Sequence, residues 1–469
     1  MRGLKEKSLE GNACGNLGVV FQNAKDFENA LKLHEKHLEL AEGAADRRGT
    51  LAARQSLGLC LFALGRHDEA IRTQKMELQL AREVGDRLSE SSAHGALADS
   101  YVAMGKREQA LTHLQCHWNL AQESGQLENQ AAALSRIGEF HLAQGEYDAA
   151  VEELEKWLML AQEHNNLDSE AKACALLGRA HMDTGKYREA VRYLDQALAL
   201  AKDLRDQSGM AEAYDRLGRA HLALNQLDEA LESQKYHLAL AHIVSDVEAK
   251  LVAMGEIGRI LLKRGNSNSA LKVLGKALNL AQAAKSAKAE AAVLCLLGRA
   301  YALRDRGERS AAFYTQALAL YSNVKDFEGM YEAFGLIGQH YQNLNKINLA
   351  VKAFEDQAEL GRRMQNPLLE AEALSRMGGC CAAGGLMEDA GRCYQEELKL
   401  LGELRSDSHF KKEGKAGRLL ESCLQELAAC LEAGGEERAA AELQERLAEF
   451  LLEEGVEALS EEKRSVTFC

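Results

Sequence analysis

Residues 171–210 read AKACALLGRAHMDTGKYREAVRYLDQALALAKDLRDQSGM, and residues 211–231 begin the same pattern again with AEAYDRLGRAHLALNQLDEAL. Leu177-Gly178 returns as Leu217-Gly218, Ala190 as Ala230 and Leu200 as Leu240, each 40 residues on. Followed outward, the register holds along most of the chain. Glycine occupies 18, 58, 138, 178, 218, 258, 298, 338 and 378, and only Ala98 interrupts it. Alanine occupies 30, 70, 110, 150, 190, 230, 270, 350 and 390, with Ser310 the exception. Leucine occupies every fortieth position from Leu40 to Leu400. Self-similarity at one fixed period marks an array of supersecondary units, each of which buries its apolar face against a neighbour.

Each unit reads as two helices. The first carries Leu-Gly near its middle, as in Ala171 to Thr184, and the second runs from near the alanine to the paired Leu-Ala, as in Arg188 to Ala201. Gly65, Gly105, Gly145, Gly185, Gly265 and Gly385 share one position in the turn between them. The periodic glycine and alanine leave room for close helix approach. Between units the chain places Asp46, Asp86, Asn166, Asp206, Asp246, Asp326 and Asn366, which suit the N-cap of the next first helix. The single proline, Pro367, falls at the first helical position after Asn366, where its missing N–H costs nothing.

Composition agrees. The chain has 469 residues and one proline, where average usage would supply roughly twenty. Hydrophobic residues make up 46% and aromatics 5%. Small side chains imply thin helix–helix seams instead of one wide core. The sequence contains no apolar run of membrane-spanning length and shows no signal-peptide pattern at Met1 to Lys7. The net charge of −14 disfavours nucleic acid as a partner. Eleven scattered cysteines without a C-x-x-C pair read as free buried thiols in a reducing compartment, so the expected location is cytoplasmic.

After Leu400 the register returns shifted by ten residues. Leu427-Ala428, Gly435, Ala440 and Phe450 match Met377-Gly378, Gly385, Ala390 and Leu400 at a spacing of 50. The expected organisation is ten 40-residue units over 1–402, an insertion over 403–415, a degenerate eleventh unit over 416–454 and a flexible acidic tail over 455–469.

Leu-Gly followed twelve residues later by Ala, with an aromatic three residues after the glycine at Phe21, Tyr101, Tyr301 and Tyr341, resembles the tetratricopeptide repeat. His141, His181 and His221 replace that aromatic elsewhere. The usual unit is 34 residues with a proline near its end. The 40-residue form here resembles the Leu-Gly-Asn (Pins) arrays, although Asn does not follow the repeat glycine and no Asp/Glu-Gln-Arg triplet occurs after residue 400. The resemblance implies an all-α, right-handed superhelical solenoid with first helices on the concave side, a protein-interaction scaffold or adaptor and no chemistry of its own.

The residue after each repeat glycine is then expected to face the groove. Arg179, Arg219, Arg259 and Arg299 occupy that place in four consecutive units, followed by Gln339, with Gln342 and Asn343 one turn on. Arginine grips carboxylates bidentately, and the amides suit a peptide backbone. The expected ligand is a protein or peptide, acidic or amphipathic. The opposing reading is self-neutralisation: Asp183, Asp215 and Glu256 lie three or four residues from Arg179, Arg219 and Arg259, and only Arg299 lacks such a neighbour. The acidic stretch from Glu453 to Glu462 is expected to fold back on the same arginines as an internal competitor. The alternative role is a structural component of a cytoskeletal or axonemal assembly held by its outer faces. A further one is a regulatory subunit covering an enzyme's active site.

No catalytic motif is present: the sequence contains no G-x-x-x-x-G-K-[ST], H-E-x-x-H or G-x-S-x-G. His113 and His117 have zinc-compatible spacing, but His37 and His237 share the repeat position of His117, which points to packing. Cys380, Cys381 and Cys393 read as buried small side chains. No metal and no cofactor is expected. The last five residues, Ser465 to Cys469, loosely fit a PDZ ligand.

Overall fold

The computed structural model describes residues 2–304, 307–405, 414–433, 439–440 and 442–444. The second half of the degenerate unit, the acidic tail and the last five residues lie outside them, apart from 439–440 and 442–444. Every described element is an α-helix, and 21 follow one another in chain order. The chain divides into two compact units, Met1–Ala220 and His221–Cys469.

The first unit holds α1 (Arg2–Asn23), α2 (Phe27–Gly43), α3 (Arg47–Ala63), α4 (His67–Val84), α5 (Arg87–Ala103) and α6 (Arg107–Ser124). It continues with α7 (Leu127–Ala143), α8 (Tyr147–Glu163), α9 (Leu167–Asp183) and α10 (Tyr187–Asp203), and the division falls inside α11 (Gln207–Ala223). The second unit holds α12 (Leu227–Ile243), α13 (Val247–Lys263), α14 (Ser267–Ala283), α15 (Ala287–Ala302) and α16 (Gly307–Asn323). It ends with α17 (Phe327–Asn343), α18 (Ile347–Arg363), α19 (Pro367–Ala383), α20 (Met387–Arg405) and α21 (Gly414–Ala433). Odd helices are the first helices of their repeats and even ones the second. Both helices of the unit at 167–203 begin earlier than the apolar pattern alone implies, because the true start is the residue after the cap.

The starts of first helices are set by the expected caps. Asp46 Oδ1 accepts from Gly49 N at 3.0 Å, Asn166 Oδ1 from Ser169 N at 3.1 Å and Asp246 Oδ1 from Ala249 N at 3.0 Å. Asn366 caps α19 with Pro367 in its first turn. The helix ends are equally regular. Gly65 N donates to Phe62 O and Arg66 N to Leu61 O, a paired closure that requires a left-handed residue, and Gly65 has φ +74°. Asn225 and Asn345 take the same conformation at the equivalent position without glycine.

The helical glycines mark the hairpin seam. A Cβ on Gly178 would fall 2.6 Å from Leu194 Cγ, and one on Gly338 would fall 2.6 Å from a Phe354 ring carbon. The residue sixteen places after the glycine thus lies in the notch it leaves, as ridge-into-groove packing requires. The periodic alanines, from Ala30 to Ala390, are fully buried on the facing helix, and Ser310 is buried in the exceptional unit.

Successive first helices also touch one another. In the first unit α1 packs on α3, α3 on α5, α5 on α7 and α7 on α9; in the second, α13 packs on α15, α15 on α17 and α19 on α21. Successive second helices make no comparable backbone approach among the described residues. First helices therefore lie on the tighter side of the array within each unit, and their exposed residues line one shared face.

Candidate binding face on the first helices

The residue after the repeat glycine is exposed at Arg179 and Arg219 in the first unit and at Arg259, Arg299 and Gln339 in the second. In the first unit the arginines meet their own carboxylates. Arg179 Nε lies 3.8 Å from Asp183 Oδ2, and an Arg219 terminal nitrogen lies 2.9 Å from Asp215 Oδ2. Arg216, two residues before the glycine of α11, crosses to the preceding first helix and donates to the Ala175 carbonyl at 3.1 Å, while pairing with Glu212 at 2.5 Å. Burial draws the Arg216 guanidinium below its ordinary pKa and lifts the Asp183 carboxyl above its own, with the neighbouring arginines opposing that lift.

In the second unit Arg259 Nε stands 3.6 Å from Glu256 Oε2, and Lys263 is tied by its Nζ to the Leu222 carbonyl at 2.9 Å. Arg299 differs: it is exposed and has no ion pair or hydrogen bond among the described residues. On α17 the residues Gln339 and Asn343 are exposed and Gln342 is half-buried, one turn apart on the same helix. Arg376 of α19 adds a cation to this strip. Its guanidinium lies over Gly335, where an added Cβ would come within 2.8 Å of it, one turn before Gln339.

Arg376 was not singled out from the sequence, yet the signal is present. Arg136, Arg216 and Arg376 share one repeat position, two residues before the glycine. Arg136 uses it to reach Asp99 of the preceding first helix at 3.1 Å. Burial raises the Asp99 carboxyl and Arg136 opposes that rise. This position is the cross-repeat reach, whereas the one after the glycine points outward.

The histidines that replace the repeat aromatic are structural. His181 stacks on Tyr193 with centroids 5.4 Å apart. His141 Nδ1 pairs with Glu146 at 2.7 Å and His221 Nδ1 with Gln226 at 2.8 Å, each tying the first helix to its turn. His113 belongs to a buried cluster: its Nδ1 lies 2.8 Å from His94 Nδ1, its ring stacks on Tyr101, and His94 Nε2 meets Arg82 at 3.2 Å. Desolvation and nearby cations hold His94 and His117 down at about 4. Among the described residues no group of three or more His, Cys, Asp or Glu is arranged to hold a metal ion. The described cysteines are free thiols, and burial raises those of Cys380, Cys381 and Cys393, the last to about 12.

Comparison with known families now meets this geometry. A tetratricopeptide repeat model matches residues 11–83, 55–123 and 171–241, and a second model of the same description matches 131–164. The chain carries tetratricopeptide repeats. Among solved structures, the apo form of RapI is 10% identical over a match covering 76% of this chain and 98% of that one, with a TM-score of 0.61. This repeat array shares that fold. The apo quorum sensor NprR from B. thuringiensis is 15% identical, covering 73% of this chain and 99% of its own, at a TM-score of 0.49. Putative kinesin light chain TPR-like repeats from Podosopora anserina are 20% identical, covering 41% and 95%, at 0.37. Comparison with curated proteins gives no match. No helix among the described residues is long and apolar enough to cross a membrane.

Proposed function

We propose that this tetratricopeptide-repeat protein is a non-enzymatic interaction scaffold whose first-helix face binds an acidic or amphipathic partner peptide. The contact strip is in the second unit: Arg299, then Gln339, Gln342 and Asn343, then Arg376. The observation that carries the reading is the contrast among the four expected arginines. Arg179, Arg219 and Arg259 each have a carboxylate of their own helix within 4 Å, hydrogen-bonded at Arg219, whereas Arg299 is exposed and has no such partner among the described residues. A guanidinium free to bind a carboxylate bidentately contributes more than one that must first release a partner. The likeness to the Pins arrays supports the general role through the long repeat alone and names no partner.

The test is selection from a random peptide library displayed on phage, run in parallel on the wild-type chain and on Arg299→Glu. An acidic motif enriched by wild type and absent from the variant supports the proposal. The same motif recovered with both places the contact elsewhere.

A further inference from the structure

Two positions of the repeat, one on each helix, meet across the hairpin seam. Three repeats place stacked rings there: Tyr101 on His113 with centroids 5.4 Å apart, His181 on Tyr193 at 5.4 Å and Tyr301 on Phe313 at 5.2 Å. In the hairpin of α19 and α20 the same two positions are Cys381 and Cys393, and no other 40-residue repeat has cysteine at either. The seam is narrow at this point. A Cβ on Gly378, one turn before Cys381, would fall 2.8 Å from a ring carbon of Tyr394, the chain neighbour of Cys393. Where other repeats fill the space with two rings, the short side chains here bring two sulfurs together, and the Cys393 thiol is hydrogen-bonded to Cys381. The adjacent Cys380 faces the other way. It packs with Ala350 and Phe354 of α18, whereas Cys381 packs with Ala390 and Tyr394 of α20.

We propose that Cys381 and Cys393 form a reversible oxidation site: hydrogen peroxide joins them in a disulfide that staples α19 to α20, and a dithiol reductant reopens it. Sulfurs already in contact need only close to the bond length of about 2.0 Å. The contact also assigns the two roles. It favours the thiolate on Cys381 and disfavours it on Cys393, because Cys393 is the donor. The Cys381 thiolate attacks one oxygen of the peroxide, the O–O bond breaks and hydroxide leaves, giving a sulfenic acid on Cys381. The Cys393 sulfur then releases its proton and attacks the Cys381 sulfur. The S–O bond breaks, and the departing hydroxide takes up a proton to become water. In sum, two thiols and one peroxide give one disulfide and two waters. The two sulfurs are oxidised and the peroxide is reduced.

The surroundings set the pace. Burial holds both thiols above their ordinary pKa, Cys393 at about 12, and the nearby carboxylates add to the rise, Asp389 for both and Glu396 for Cys393. Cys381 is 2% exposed and Cys393 7%. Oxidation therefore waits on local opening of the hairpin, is slow at neutral pH and quickens as pH rises.

The test treats the full chain with hydrogen peroxide, stops the reaction with catalase, alkylates free thiols with iodoacetamide in urea and digests with trypsin without reductant. Cleavage after Arg376, Arg392 and Lys399 leaves Cys381 in peptide 377–392 and Cys393 in peptide 393–399. The bond is read by mass spectrometry as a linked pair of these peptides that parts on dithiothreitol. The expected result is a linked pair in wild type and in Cys380→Ala, none in Cys381→Ala or Cys393→Ala, and faster linkage as pH is raised. Fragmentation of the wild-type pair assigns the bond to Cys381 or Cys380 directly, so the assignment holds or fails even where a variant does not fold. In oxidised wild type the slowest amides of α19 and α20 should exchange about tenfold more slowly or less, and recover with dithiothreitol. Complete alkylation of both cysteines after peroxide, a bond made through Cys380, or sulfinic acid on Cys393 without a linked pair overturns the proposal. A linked pair with unchanged exchange overturns the staple.

Discussion

Replacing Glu77 by Gln should stabilise the protein at neutral pH, by an amount that grows with pH. Glu77 is 1% exposed on α4, its Oε1 has no hydrogen-bond partner, and desolvation pushes its carboxyl up to about 8 from 4.5. In the folded state the group holds its proton until about pH 8, whereas in the unfolded chain it releases it near 4.5. Its contribution to stability is thus fully present below 4.5 and is lost as pH rises through 8. Each pH unit in that window costs about 1.4 kcal/mol, so by pH 7 the loss is roughly 3 kcal/mol. A glutamine carries no proton to lose. The free-energy difference between Glu77→Gln and wild type should be near zero at pH 4.5 and rise to roughly 3 kcal/mol in favour of the variant at pH 7. Repeat arrays open in segments, so the assay is native-state hydrogen exchange at the amides of α3, α4 and α5 between pH 5 and 8. A difference that stays flat across this range, or a variant less stable at every pH, would refute the claim that an unpaired buried carboxyl sits at this position.

Other consequences follow the same logic. Glu397 occupies the same repeat position on α20 and is raised to about 8 by burial, so Glu397→Gln should show the same rising benefit at the amides of α19, α20 and α21. The buried histidines act in the opposite window: His94 and His117 lie at about 4 in the folded state against 6.5 unfolded, so exchange protection of α5 and α6 should fall as pH drops from about 6.5 to 4. Gly178→Ala should destabilise by about 1–3 kcal/mol, because its Cβ meets Leu194 Cγ at 2.6 Å, whereas Gly275→Ala on α14, with open space around it, should stabilise by about 0.5–1 kcal/mol in thermal melts. Asp46→Ala removes the cap on Gly49 N and should cost about 1 kcal/mol.

The repeat, its two helices, its caps and its turns were legible because each rests on local chemistry. Asp46 and Asn366 accept backbone N–H groups within three residues, and Gly65 takes a φ that its own turn demands. The seam was legible in part: the glycine announces close approach, but which side chain enters the notch is decided by a helix sixteen residues on. The candidate face divides similarly. Pairing of Arg179, Arg219 and Arg259 follows from i,i+3 and i,i+4 spacing, and so does the lack of an acidic neighbour for Arg299 in its own helix. The reach of Arg136 to Asp99, of Arg216 to the Ala175 carbonyl and of Arg376 over Gly335 crosses between repeats, 37 to 41 residues apart. The meeting of His94 with His113, on the two helices of one repeat, was hidden because neither position is regularly histidine in other repeats.

The central claim is that Arg299, alone among the four arginines, is free to bind an acidic peptide. Calorimetric titration of one acidic peptide from the library selection into wild type, Arg299→Glu and Arg259→Glu tests it most directly. The account expects about a tenfold or greater loss for Arg299→Glu and a small change for Arg259→Glu, whose guanidinium has the Glu256 carboxylate 3.6 Å away. Equal losses in the two variants, or a larger loss for Arg259→Glu, would contradict it.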